Sequence, residues 1–84
     1  MNFEEAQERV KNLSQRPDNS ELLKLYALFK QASEGDNNGE PPNNPFDFAA
    51  TAKFNAWKEI AGKESSEAEN EYISLVQALV EKYG

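Results

Sequence analysis

The chain has 84 residues, with 15 Asp plus Glu against 9 Lys plus Arg, and neither histidine nor cysteine. A net charge of −6 opposes general attraction to nucleic acid or to an anionic membrane, so an anionic ligand must be met by a local basic patch. Disulfides, thiolate sites and the commonest general base are all excluded, and the length suits one small domain whose stability rests on packing.

Phe3, Ala6, Val10 and Leu13 recur at helical spacing, and the pattern stops before Arg16-Pro17, because proline disfavours a helical residue ahead of it. The spacing predicts a first helix over 3–14. Asp18, Asn19 and Ser20 each offer an N-cap before Leu22, Leu25, Tyr26, Phe29 and Ala32, a second amphipathic series over 20–34 that ends at Gly35. Residues 35–47 hold Pro41, Pro42 and Pro45 among Gly, Asn and Asp, which forbids a regular helix. Long connections in small domains usually serve a site or wrap a neighbour.

Ala49, Ala52, Ala56 and Ile60 share one face of a third helix over 49–61, with Lys53 and Trp57 four apart on an adjacent face and Gly62 beyond its end. Ser65 or Ser66, the latter in capping-box spacing with Glu69, opens a fourth helix over 65–83 with the clearest apolar stripe: Ala68, Tyr72, Leu75, Val76, Leu79, Val80 and Tyr83. No stretch alternates like a strand or approaches transmembrane length, and no basic region leads into an apolar run. The expectation is an all-α, four-helix, single-domain protein of the cytoplasm, without stable membrane insertion.

Asp36, Asn38, Glu40 and Asp47 alternate like the ligands of a calcium loop, but Pro41 occupies the position that needs glycine, so no metal is expected there. Carboxylates such as Glu67, Glu69 and Glu71 read as a solvated face, and without a histidine or cysteine there is no triad or tuned acid–base pair to support an enzyme. The informative group is Tyr26 and Lys30, which share a helix face, with Lys53 and Tyr72. Each also fits a bland role, the tyrosines in a core and the lysines on a surface.

The run Leu25-Tyr26-Ala27-Leu28-Phe29-Lys30-Gln31-Ala32-Ser33-Glu34-Gly35-Asp36 resembles the second-helix signature of the acyl-CoA-binding protein family. Pro42, Asp47-Phe48, Ala52-Lys53-Phe54-Asn55-Ala56-Trp57, Gly62, Glu67-Ala68, Tyr72-Ile73 and Lys82-Tyr83-Gly84 follow in the family's order, so the resemblance covers essentially the whole chain. It implies an up-down-down-up four-helix bundle that binds long-chain fatty acyl-CoA as a monomeric carrier and pool former, without catalysis. By matched position, Tyr26, Lys30 and Lys53 would hold the adenosine 3′-phosphate, Phe29 would stack near the adenine, and Lys11 and Tyr72 would complete the head-group site. Leu22, Leu23, Leu25 and Ala52 would lie along or beneath an acyl groove between helices 2 and 3.

Phe29 stands where the family usually has tyrosine, Ala49 where a basic residue is frequent, and Phe54 where tryptophan is usual; the loop is one residue longer than in common members. The first two changes predict a weaker grip on the head group. The contrasting possibilities are a helical protein–protein interaction module built on the Tyr and Trp residues, which would ignore acyl-CoA, and a thioesterase, which lacks its nucleophile and base.

Overall fold

Three of the four helices start where a side chain meets the free amides of the first turn. In the computed structural model, which describes residues 1–84, α1 spans Phe3–Lys11, α2 Asn19–Glu34, α3 Phe48–Glu59 and α4 Ser65–Tyr83. Asn2 and Asp18 each accept the backbone N–H three residues on at 2.8 Å, while Glu5 and Glu21 reach back to the cap N–H, so α1 and α2 both open with a capping box. Asp47 accepts the Ala50 N–H at 3.1 Å and opens α3.

The boundaries depart from the expected ones for local reasons. The first helix stops at Lys11 rather than 14, because Asn12 turns its side-chain amide onto the Glu8 carbonyl at 3.0 Å and its own N–H onto Arg9 at 3.1 Å, closing the ladder early. Ser14 beyond it donates to the Tyr83 carbonyl. The second and third helices each begin one residue earlier than expected, and α3 ends its regular turns at Glu59. Ile60 and Ala61 bond three residues back, and Gly62, at φ 91°, makes the left-handed turn that a side chain would strain. The Ser66–Glu69 capping box is absent: Glu64 is the N-cap, without a side-chain bond, and the Ser65 hydroxyl instead donates to the Gln31 carbonyl at 3.4 Å.

Ala6, Leu25, Leu28, Ala68, Tyr72, Val76 and Leu79 form the buried core, with Phe3, Val10, Leu13, Leu22 and Phe29 among the residues packed against it. Phe3 meets Tyr72 and Ser14 meets Tyr83, so α1 runs parallel to α4; Gln31 meets Ser65 and Glu21 meets Tyr83, so α2 runs against it. Tyr26 meets Lys53 and Lys30 meets Trp57, so α2 and α3 are parallel. The topology is therefore the up-down-down-up bundle. α4 packs against α1 and α2, whereas α3 closely approaches α2 alone and has no fully buried side chain.

That imbalance leaves the molecule open. Its radius of gyration is 13.1 Å, against about 12 Å for a compact chain of this length. A cleft of about 730 Å³ separates α2, α3 and α4, floored by Leu23, Ala27, Leu28, Ala56, Ile60 and Leu75 and rimmed by Lys24, Glu59, Lys63 and Glu71. No helix is long and apolar enough to cross a membrane.

Candidate ligand-binding site

On α2 the i, i+4 spacing puts Tyr26 and Lys30 on one stripe, and on α3 the same spacing does so for Lys53 and Trp57. Because the two helices are parallel, the stripes face each other. The Lys53 amine lies 5.5 Å from the Tyr26 ring centroid, and the Lys30 amine lies 6.0 Å from that ring and 5.5 Å from the Trp57 ring. Two cations from separate helices thus converge on one phenol, within cation–π reach of its face.

Lys30 is half-buried and already has an anion, Glu34 Oε2 at 2.6 Å, on the next turn of its own helix. That hydrogen bond holds its amine above the usual lysine range, against the opposing effect of burial, so Lys30 is cationic at neutral pH. An amine so placed makes a charge-assisted hydrogen bond to any oxyanion that can compete with Glu34.

The remaining expected head-group residues already have partners within the protein. Phe29 stacks with Phe3 at 6.0 Å between centroids, Tyr72 meets Phe3 edge-on at 5.1 Å, and Phe29 and Tyr72 stand 6.4 Å apart, tying α1, α2 and α4 together. Phe29 remains partly exposed, so the ring is at the surface although one contact is already made. Tyr72 is buried, and burial pushes its phenol above the usual tyrosine range, which keeps it neutral. Lys11 is exposed and pairs with Glu8 at 3.5 Å.

The four acyl-groove residues do not line one channel. Leu23 faces the cleft between α2, α3 and α4; Leu25 is in the core, Leu22 packs against it, and Ala52 is half-buried on α3. Ser20, Leu23, Lys24 and Ala27 on the cleft side of α2 repeat at three and four residues, a stripe distinct from that of Tyr26 and Lys30.

Several residues that shape the site escaped the sequence reading. Gln31, immediately after Lys30, is buried and bonds to Trp57, Asp36 and Lys63. Asn37 is buried too, donating to the Phe54 carbonyl at 3.2 Å and accepting from the Gly39 N–H at 3.0 Å, which pins the long loop along α3. The available signal for Gln31 was a polar residue three beyond Leu28, on the side of α2 that turns inward. No group of three His, Cys, Asp or Glu side chains is gathered where a metal ion could be held.

Comparison with known proteins agrees with this fold. Residues 1–76 match the family model for acyl CoA binding protein. The chain is 49% identical over 81 residues to an acyl-CoA-binding protein homolog of Drosophila melanogaster, covering 96% of this chain and 93% of the relative. It is 46% identical over 81 residues to the acyl-CoA-binding protein of Saccharomyces cerevisiae, covering 96% and 92%. The crystal structure of Oryza sativa acyl-CoA-binding protein 2 superposes with a TM-score of 0.88 at 38% identity, covering 95% of this chain and 88% of that one. The solution structure of the yeast acyl coenzyme A binding protein does so with a TM-score of 0.75 at 46% identity, covering 96% and 93%. With the family model matching residues 1–76, relatives at 46–49% identity over nearly their full length and the same fold in solved structures, the chain belongs to the acyl-CoA-binding protein family.

Proposed function

We propose that this protein binds long-chain fatty acyl-CoA esters in the cytoplasm, as a monomeric carrier that forms an intracellular pool and does not transform its ligand. The observation that carries the reading is the convergence of Lys30 and Lys53 on Tyr26. In an acidic protein this is a local answer to a ligand head bearing roughly four negative charges. Tyr26, Lys30 and Lys53 take the 3′-phosphate, Phe29 offers the adenine a face beside Phe3, and Tyr72 and Lys11 complete the head-group site. Stacking on such a face contributes about 1–3 kcal/mol.

The acyl chain lies along the α2–α3 boundary, entering the cleft that Leu23 faces and passing Ala52 on α3, with Leu22 and Leu25 beneath it. Each buried methylene contributes ~0.8 kcal/mol, so about fourteen of them give at most ~11 kcal/mol before ordering costs. Affinity therefore climbs with chain length, while the lysines select the nucleotide head over a free fatty acid. Calorimetry tests both parts. Palmitoyl-CoA is expected to bind at micromolar concentration or below and palmitate far more weakly, and comparable affinity for the two would sink the head-group assignment. The double variant K30A/K53A is expected to lose CoA binding while retaining its helical circular dichroism.

A further inference from the structure

α3 carries Lys53 yet closely approaches only α2 and fully buries none of its own side chains, so whatever ties it to α2 decides where that amine sits. The tie is a polar network centred on Gln31. Its side chain is 1% exposed and fully partnered: Oε1 accepts the Trp57 indole N–H at 3.1 Å, while Nε2 donates to Asp36 Oδ1 and to the Lys63 carbonyl, both at 2.8 Å. The same indole N–H also donates to the Gly35 carbonyl at 2.8 Å. Asp36 Oδ1 accepts the Gly62 N–H at 2.8 Å, and these bonds hold its carboxyl below the usual range, so it is ionised at neutral pH. One α2 side chain is thus bonded at once to α3, to the α2–α3 loop and to the α3–α4 turn.

The position of this network matters more than its strength. Gln31 is next to Lys30, and Trp57 is one turn beyond Lys53 with its ring 5.5 Å from the Lys30 amine. A buried, fully satisfied network permits one arrangement of its members, because any other leaves a polar group unpaired. An apolar contact tolerates sliding that these bonds do not.

We propose that Gln31, acting through Trp57 and Asp36, is a positioning residue that sets the spacing of α2 and α3, and so keeps the Lys30 and Lys53 amines gathered about the Tyr26 ring. This rests on the carrier reading above, since it names what places the two amines that reading uses. Gln31 itself need not touch ligand.

The test is a cycle of wild type, Gln31→Met, Lys53→Ala and the double variant, titrated with palmitoyl-CoA where circular dichroism shows each one folded. Methionine keeps the volume of glutamine and removes its polar atoms. Q31M is expected to weaken binding about tenfold, the effect of losing a well-paired buried group. K53A is then expected to cost a much smaller factor in the Q31M background than in wild type, because the amine it removes is already misplaced. A residue that merely holds the fold lowers the melting temperature without that coupling. Q31M affinity within twofold of wild type, or an equal K53A factor in both backgrounds, overturns the proposal. Should Q31M fail to fold, Trp57→Phe, which keeps a ring beneath Lys30 and deletes the shared N–H, goes through the same cycle under the same criteria. A wild type that does not bind palmitoyl-CoA overturns the carrier reading and this inference with it, whereas failure of the inference alone leaves wild-type binding intact.

Discussion

At the residue scale, Lys30 is a cation with a rival for its attention. Glu34 holds its amine at 2.6 Å, and a phosphate gains only the difference between its own pull and that of the carboxylate. Partly exposed pairs of this kind contribute about 0.2–1 kcal/mol. E34Q is therefore expected to tighten palmitoyl-CoA binding by up to about fivefold at low salt, shrinking as ionic strength rises, and a titration at two salt concentrations reads both. The Tyr26–Lys30 and Lys53–Trp57 pairs were legible in the sequence because four-residue spacing puts side chains on one face whatever the fold. Gln31 was not, since its partners Trp57 and Lys63 lie 26 and 32 residues away, and nothing local announces that a polar side chain on an inward face will be met there.

At the scale of the elements, the two long helices are fastened at one end by Tyr83, whose hydroxyl donates to Glu21 at 2.8 Å, with Lys82 on the other oxygen at 3.3 Å. Y83F is expected to lower stability by about 0.5–1.5 kcal/mol, visible as a lower thermal midpoint, with palmitoyl-CoA affinity unchanged because Tyr83 is outside the proposed site. The Asp18 N–H, then Tyr83, hold the Glu21 carboxyl below its usual range, and the Gly62 N–H, then Gln31, do the same for Asp36. On acidification the unfolded chain takes up protons at these groups before the folded one does. Their contribution is complete at neutral pH and drains away as the pH falls through and below the usual carboxylate range. Thermal melts across that range are expected to show falling midpoints, with a shallower fall in D36N.

Helix number and approximate extent were readable from apolar periodicity, Pro17 and the proline-rich loop. The ends were not, because Asn12, Ser65 and Glu64 settle theirs by competitions between side chain and backbone that periodicity does not see.

At the scale of the whole molecule, the core is one seam along α4, and Leu79 is among its largest fully buried side chains. L79A is expected to cost about 2–5 kcal/mol, a large share of the ~5–15 kcal/mol available to a domain, as a chemical denaturation curve would register. Four helices follow from the sequence pattern, but their order in space does not: amphipathic stripes specify that faces are buried, not which helix covers which. That part was carried by the family resemblance and is explained by the contacts of Phe3, Gln31 and Tyr83.

The lopsided placing of α3 has a further consequence. A helix lacking an interior of its own depends for its place on the few bonds that Trp57 and Gln31 make across it, so its local stability is theirs to set. A molecule lodged across Tyr26 and Lys53, as the proposed function has it, would give this helix a second tie to α2, and its binding would be read as added stability of α3.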